Sequence, residues 1–206
     1  MDDIVDFYAR TYNENHPVVC LDESSVQLIG EVRAPISAAP GHGVLIDDEY
    51  VRNGVESIFM AVEPLAGKRE VRITEQRTRI DWAHFIKELL YEYYADAEKV
   101  VWVMDNLNTH SLASLYPAFT PVEASRLAQR LEIHFTPKHG SCLNVAEIEL
   151  SVLKRQCLAR RIDCVDTMRA EVLAWNIDRN KRQTKVDWQF TASDARTKLK
   201  RLYPKI

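Results

Sequence analysis

The apolar run at residues 99–106 (KVVWVMDN) limits what this chain can fold into more than any other feature. Five consecutive apolar residues, three of them valine, stand between Lys99 and Asp105. A run of this length without a polar member is typical of a strand that is buried on both faces. Such strands lie in sheets whose two faces are covered by helices. The run therefore predicts an α/β fold, with Asp105 at the end of a central strand where the sheet meets solvent.

The remaining elements follow the same plan. Residues 17–28 (PVVCLDESSVQL) form a second apolar, β-branched run, which carries Asp22. The order of elements is three strands, helix, strand, helix, strand and helix, which permits parallel neighbours joined by crossovers. A mixed sheet flanked by helices is therefore predicted. The remaining expected elements are strands at residues 55–64, 69–76 and 132–137, an irregular loop at 34–50, and helices at 79–97, 122–131, after residue 144, at 166–183 and at 193–202.

Length and composition are those of a soluble globular protein. The chain has 206 residues, of which 46% are hydrophobic and 28% charged, as expected for one globular domain. No apolar run reaches the roughly 18 residues of a membrane span. The acidic N-terminus lacks the basic start and apolar centre of a signal peptide. A cytoplasmic protein without a membrane partner is expected, and its four cysteines, which form no C-x-x-C pair, are expected to be free thiols.

Charge is distributed unevenly along the chain. Residues 1–150 hold 13 Lys and Arg against 24 Asp and Glu, whereas residues 151–206 hold 14 against 6. A basic C-terminal quarter on an acidic body suits a polyanionic partner. The acidic body offers carboxylates to divalent cations.

Three acidic residues stand where such a fold places its chemistry. Asp22 and Asp105 belong to the ends of apolar strand runs, and Glu147 begins the helix in LNVAEIE. Carboxylates on rigid elements suit hard divalent cations, which prefer oxygen ligands. Two such ions about 3.5–4 Å apart support phosphoryl transfer. The three residues together therefore favour metal-assisted phosphodiester chemistry.

Each acid also has an ordinary structural interpretation. An aspartate after a strand is often a turn residue or a helix cap. Glu147 follows Asn144 by three residues, which is the spacing of a capping box. Glu149 lies about 200° around the helix from Glu147, so the two glutamates cannot face one site. Spacing alone leaves catalysis and capping both open.

Four segments taken in order resemble a known family. They are LDES, VMDNLNTH, IHFTPKHGSCLNVAEIELSVLKRQ and VDWQFTASDARTKL. Together they are similar to the catalytic domain of the DDE transposases, and more narrowly to the bacterial insertion-sequence branch of the mariner-like superfamily. The resemblance extends from about residue 17 to residue 202, and TPKHGSCLNVAEIELS is its most specific part.

This resemblance implies a ribonuclease-H-like fold and an enzyme that cleaves DNA strands and transfers them in a Mg²⁺-dependent reaction. Carried over residue by residue, the three acids of the family fall on Asp22, Asp105 and Glu147. They would be both the catalytic residues and the ligands of two Mg²⁺ ions, which Mn²⁺ is able to replace. The resemblance favours Glu147 over Glu149 for this role.

The resemblance also implies partners and a domain organisation. The expected partners are double-stranded DNA, as element terminal inverted repeats and as target, and a second copy of the chain on paired ends. Residues 17–206 would be the catalytic domain and residues 1–16 a lead-in segment. No N-terminal helix-turn-helix domain is expected in this chain, so a separately encoded helix-turn-helix half is a possible further partner.

Other polar residues near the three acids have candidate roles. Contact with DNA phosphate is expected for Lys138, His139, Ser141, Lys154, Arg155, Arg160 and Arg161, the last four on one continuous basic helix. Supporting roles are expected for Asn106, His110 and Asn144. Loop capping and an ordinary solvated surface are the alternatives for these residues.

Two other functions remain compatible with the sequence. One is a nuclease of the same fold that cleaves DNA without joining strands. The other is an inactive or truncated transposase remnant that binds DNA or a partner protein. The presence of all three acids argues against the second.

Overall fold

The computed structural model describes residues 2–138 and 140–203, and the two flanking ends and His139 lie outside the described residues. Five strands and six α-helices make up its regular structure. The strands are β1 (Val18–Glu31), β2 (Tyr50–Glu63), β3 (Lys68–Thr74), β4 (Val100–Met104) and β5 (Leu131–Phe135). The helices are α1 (Asp2–Ala9), α2 (Arg79–Glu88), α3 (Pro121–Gln129), α4 (Val145–Gln156), α5 (Val165–Arg182) and α6 (Ala192–Lys198). Short 3₁₀ turns cover Leu112–Leu115, Ser141–Leu143 and Lys200–Leu202.

The five strands form one mixed sheet in the order β3-β2-β1-β4-β5. β2 pairs antiparallel with both β1 and β3, whereas β1–β4 and β4–β5 are parallel pairs. In the parallel pair β1–β4, Val18 faces Val101 and Cys20 faces Val103. Continuing this register by two residues brings Asp22 beside Asp105. The predicted mixed α/β sheet is confirmed, and its central strand is β1, with β4 beside it.

Side chains alternate between the two faces of the sheet and build two separate cores. One core holds Val18, Cys20, Val101 and Val103 together with residues of α1, α4, α5 and α6. The other holds Val19, Leu21, Trp102 and Met104 together with residues of α2 and α3. Neighbouring residues of β1 therefore point into different cores, which decides where each acid of the LDES segment points.

Helix α1 was not predicted, since residues 1–16 were interpreted as a lead-in segment. The helix buries Ile4, Val5, Phe7 and Tyr8 in the core that contains α4. The hydroxyl of Tyr8 donates a hydrogen bond to the carbonyl oxygen of Leu143 at 2.8 Å, just before α4 begins. Eight residues make little more than two turns, too few for a clear periodic signal. Packing rather than propensity stabilises so short a helix.

Other boundaries differ modestly from the predictions. The helix expected at residues 79–97 is α-helical to Glu88 and continues as a π-helix at Leu89–Tyr93. β1 and β2 both extend further than expected, and the irregular loop between them is confirmed apart from two isolated bridges, Ile36–Leu45 and Ala39–His42.

Within the described residues, no helix combines the length and the apolar character needed to cross a membrane.

Candidate active site

Asp22, Asp105 and Glu147 line one cleft at the edge of the sheet. Its volume is about 450 Å³, and the other lining residues include Ser24, Ser141, Asn144, Ser151 and Lys154. The acids come from three elements that are distant in sequence: β1, the end of β4 and the first turn of α4. The fold therefore brings together the three acids that the sequence singled out.

Asp22 is held by the strand itself. Its carboxylate oxygen Oδ1 accepts a hydrogen bond from the backbone amide of Glu23 at 2.8 Å. Burial raises the pKa of the Asp22 carboxyl to about 6, the amide bond opposes this rise, and the negative charges of Asp105, Glu23 and Glu147 add to it. A carboxylate crowded by other carboxylates in this way gains from a bound cation.

Asp105 follows the last residue of β4 and is fixed from below by His110. Nδ1 of His110 lies 2.7 Å from Oδ1 of Asp105 and 3.2 Å from the carbonyl oxygen of Asp105. Oδ1 is buried, and the imidazole beneath it compensates its charge. The pair is thus a close charge contact that leaves Asp105 capable of accepting a further ligand.

Glu23 completes this contact from the opposite face of the sheet. Its Oε2 atom lies 2.9 Å from Nε2 of His110, and the two side chains are 2% and 0% exposed. Burial alone would lower the pKa of His110, but the carboxylates of Asp105 and Glu23 outweigh it and raise the pKa to about 9. His110 was expected in a supporting role, whereas Glu23 was missed. The alternation of side chains along β1 could have placed Glu23 on the face opposite Asp22.

Asn144 places Glu147 by joining α4 to β1. Its side-chain oxygen accepts from the amide of Ala146 at 3.1 Å, and its side-chain nitrogen donates to the carbonyl oxygen of Leu21 at 2.9 Å. The first contact confirms Asn144 as the N-cap. The second connects the start of the helix to the residue before Asp22. The expected supporting role of Asn144 thus has a clear geometric basis.

The capping box suggested by the spacing is not formed. The backbone amide of Asn144 donates to the carbonyl oxygen of Ser141 at 2.7 Å, so it is not available to the Glu147 side chain. Glu147 is exposed, and among the described residues its carboxylate makes no hydrogen bond or ion pair. The structural interpretation of Glu147 as a cap is therefore wrong for its side chain.

Glu149 faces away from the cleft, as the helical geometry predicted. Its Oε1 atom accepts from Nε of Arg69 at 2.6 Å and lies 2.8 Å from a terminal nitrogen of Arg179. The side chains of Arg69 and Glu149 are 1% and 6% exposed. Glu149 therefore fastens α4 to β3 and α5 in the interior.

The predicted DNA-contact residues fall into two groups. Lys154 lines the cleft of the three acids, and Ser141 lines both this cleft and an adjoining one of about 510 Å³. Asn106 and Lys138 line the adjoining cleft, which also shares Asp105. His139, the remaining residue of this loop with an expected DNA contact, lies outside the described residues.

The expectation of one continuous basic helix is wrong. Helix α4 ends at Gln156, so Arg160 and Arg161 lie beyond it. Arg160 pairs with Glu171 at 2.6 Å, and Arg161 pairs with Glu31 at 2.6 Å. Arg161 also donates to two carbonyl groups of the segment between β1 and β2, because the end of α4 brings it next to that segment. Arg155 remains on α4 but does not line the cleft.

The donor set in the cleft fits a hard divalent cation. Three carboxylates line the cleft, and oxygen donors of this kind suit Mg²⁺ or Mn²⁺. Within residues 2–138 and 140–203, no three His, Cys, Asp or Glu side chains already stand close enough to hold a metal ion.

Known proteins resemble this chain in sequence and fold. The profile of the DDE superfamily endonuclease family matches residues 17–169. The structure of the Mos1 mariner paired end complex with Mn superposes with a TM-score of 0.58 at 14% identity, covering 93% of this chain and 59% of that chain. The Mos1 transposase paired-end complex with left transposon end gives a TM-score of 0.59 at 14% identity, with the same coverage.

This chain therefore spans about three-fifths of the length of the Mos1 chains that it matches. At this identity, the likeness shows the fold alone, which is ribonuclease-H-like. No curated protein matches the sequence. Because the family profile covers three-quarters of the chain, from the start of β1 into α5, the chain belongs to the DDE superfamily of endonucleases.

Proposed function

We propose that this chain is the catalytic domain of a transposase, performing Mg²⁺-dependent DNA strand cleavage and strand transfer at the ends of an insertion sequence. One observation carries the proposal. Asp22, Asp105 and Glu147 come from three separate elements and line a single cleft in a member of the DDE endonuclease family. Among the described residues, Asp22 and Glu147 make no ion pair of the kind that holds Glu149, and Asp105 pairs only with His110 beneath the cleft.

In this proposal, Asp22, Asp105 and Glu147 hold two Mg²⁺ or Mn²⁺ ions. Bound ions of this kind supply Lewis-acid stabilisation of charge and activation of an attacking hydroxyl group. The protein contributes rigid placement. β1 and Asn144 fix Asp22 and the start of α4, and His110 fixes Asp105. Water would be the first nucleophile at the element end, and the released 3′-hydroxyl the second, at target DNA.

DNA would cross the two adjoining clefts. They share Asp105 and Ser141, so a strand laid across them passes the acids. Lys154 stands on one side of the acids and Lys138 on the other, and both are exposed. These two lysines are placed to contact phosphates on either side of the cleaved bond. The surface arginines Arg155, Arg160 and Arg161 would contribute weaker, longer-range attraction to DNA.

The proposed partners are the terminal inverted repeats, target DNA and a second copy of this chain, acting with the bacterial DNA in the cytoplasm. Mos1 forms complexes on paired transposon ends, and a strand transfer complex of Mos1 also resembles this fold. Residues 17–206 would be the catalytic domain. Helix α1 would belong to the same folded unit, since it packs beneath α4.

The test is an assay with labelled duplexes that carry the element ends, incubated with Mg²⁺ or Mn²⁺ and a target plasmid. The proposal expects cleaved ends and then joined products with the unchanged protein. It expects neither with Asp105→Asn. The matched control is Glu98→Gln, which removes a carboxylate that is 79% exposed and outside both clefts. Cleavage by Asp105→Asn at the unchanged rate would refute the proposal, and cleavage without joining would favour a nuclease.

A further inference from the structure

A buried chain of contacts runs beneath the cleft from Glu23 through His110 to Asp105. Nε2 of His110 lies 2.9 Å from Oε2 of Glu23, and Nδ1 lies 2.7 Å from Oδ1 of Asp105. Glu23 is 2% and His110 is 0% exposed. Glu23 is among the residues that line the cleft, but its side chain and that of His110 are too deeply buried to touch DNA there. Any effect that they have on its chemistry must pass through Asp105.

The backbone alone does not fix Asp105. β4 ends at Met104, and the carbonyl oxygen of Met104 accepts the last strand-like bond, from the amide of Thr136 at 2.9 Å. Beyond that point, the chain makes a turn in which the amide of His110 donates to the carbonyl oxygen of Leu107 at 3.0 Å. The imidazole then returns to Asp105 and faces both its carboxylate and its carbonyl oxygen. A single ring thus orients the side chain and the backbone of one acid.

Glu23 in turn orients that ring. It lies on β1 next to Asp22; strand alternation places the two side chains on opposite faces of the sheet, and both residues border the cleft. The ring of His110 also packs beside the ring of Trp82, with 6.1 Å between centroids. Packing would fill the space equally well with an apolar residue, and buried ion pairs are often replaceable without loss of stability. Packing therefore explains the burial of His110 but not the contacts that both ring nitrogens make with carboxylates.

We propose that Glu23 and His110 are positioning residues that hold the Asp105 carboxylate in the orientation required for a divalent cation. The inference deepens the proposed function and rests on it, since it takes Asp105 as a metal ligand. Partners that orient a metal ligand from behind commonly change metal affinity or activity by about 10- to 100-fold when they are removed. Glu23 would act through His110 and not directly on the cation.

The experiment measures Mn²⁺ affinity of the DNA-free protein by calorimetry and by the electron paramagnetic resonance of free Mn²⁺. The variants are Glu23→Gln, His110→Gln and the two combined. Each single variant is expected to weaken Mn²⁺ binding about 10-fold or more. The combined variant is expected to bind no more weakly than His110→Gln alone, because both changes break the same chain of contacts.

The matched control is Glu132→Gln. On β5, Oε1 of Glu132 lies 3.0 Å from Nε2 of His134, which is the same type of contact outside the cleft. This variant should bind Mn²⁺ as the unchanged protein does. Circular dichroism and thermal unfolding report whether each variant keeps the fold. If a single variant unfolds because one buried charge has lost its partner, the combined variant, which leaves a neutral pair, still permits the comparison with Glu132→Gln.

The outcomes separate the two proposals. If the unchanged protein binds Mn²⁺ and folded Glu23→Gln binds it equally well, the positioning role is refuted and the proposed function stands. Losses that multiply in the combined variant would also refute it, because Glu23 would then act independently of His110. If the unchanged protein does not bind Mn²⁺ through its carboxylates, the proposed function itself fails, and the positioning role fails with it.

Discussion

Two glutamates on one helix, two residues apart, show how the same side chain acquires opposite roles. Glu149 is buried between Arg69 and Arg179, and its charge is compensated inside the protein. Glu147 is exposed at the cleft, and the described residues offer it no cationic partner within ion-pair distance. A buried carboxylate with an internal partner compensates the charge of that partner, so removing the carboxylate alone destabilises the fold. A carboxylate without one, next to two other acids, raises the local negative potential and is available to a cation.

The largest expected effect is the loss of activity in Glu147→Gln. This change keeps the size of the side chain and the N-cap at Asn144, so the fold should persist. Cleavage of element-end DNA should fall by a factor on the order of 10² to 10³ or more, because one of the three metal-facing charges is gone. Gel assays with Mg²⁺ measure the rate, and a thermal melt checks the fold. A variant with normal cleavage would make Glu147 an ordinary exposed acid.

A loss of stability, and not of activity, is expected in Glu149→Gln. Removing this charge leaves the buried guanidinium of Arg69 without its counter-ion, so the free energy of unfolding should drop by about 3 kcal/mol or more. Urea denaturation followed by circular dichroism measures it. At a temperature where the variant remains folded, its cleavage activity should survive. A loss below about 1 kcal/mol would contradict the contrast between the two glutamates.

A smaller gain in stability is expected in Asp22→Asn when a chelator is present. Burial raises the pKa of Asp22 from 3.8 to about 6, so the folded state binds this proton more tightly than the unfolded state. Stability contributed by this group therefore falls as the pH rises from about 4 to about 6. Asparagine removes that penalty. The variant should melt higher than the unchanged protein at pH 7.5 and no higher at pH 4, whereas equal melting temperatures at pH 7.5 would show that burying the Asp22 charge costs no stability.

The smallest expected effect is on DNA binding, and it differs between two adjacent basic residues. Lys154 lines the cleft, whereas Arg155 donates to the carbonyl oxygen of Ser151 at 3.3 Å and lies outside the cleft. Lys154→Gln should reduce the slope of log K against log salt for DNA binding by about 1, as expected when one phosphate contact is lost. Arg155→Gln should change the slope less. Fluorescence anisotropy over a salt series measures both, and equal slopes would place DNA elsewhere on the surface.

Much of the fold could be predicted from local pattern. The unbroken apolar run before Asp105 and the β-branched run before Asp22 are strong signals, since a strand buried on both faces tolerates no polar residue. The two predictions that failed concerned helix boundaries whose sequence signals are weak. Helix α1 has too few turns to show periodicity, and the end of α4 at Gln156 carries no glycine or proline to mark it.

The candidate site was predictable in its members but not in their environment. The residue types and the family resemblance indicated Asp22, Asp105 and Glu147. They could not show that Glu23 reaches Asp105 through His110, because Glu23 and His110 are 87 positions apart in the chain. Nor could they show that Asn144 donates to the carbonyl oxygen of Leu21 on β1, across 123 positions.

The sequence by itself therefore determined the fold class, the two strand-end aspartates and the helix that begins near Glu147, because each depends on hydrophobic pattern and capping over a few neighbouring residues. Only the tertiary structure decided which charges are compensated. The parallel pairing of β1 with β4 brings Asp22 and Asp105 into one cleft, and the packing of α4 across β3 and α5 buries Glu149 while leaving Glu147 at the cleft. A charge is compensated only by an opposite charge that lies close to it in space, and the spacing of residues along the sequence does not show which charges come close.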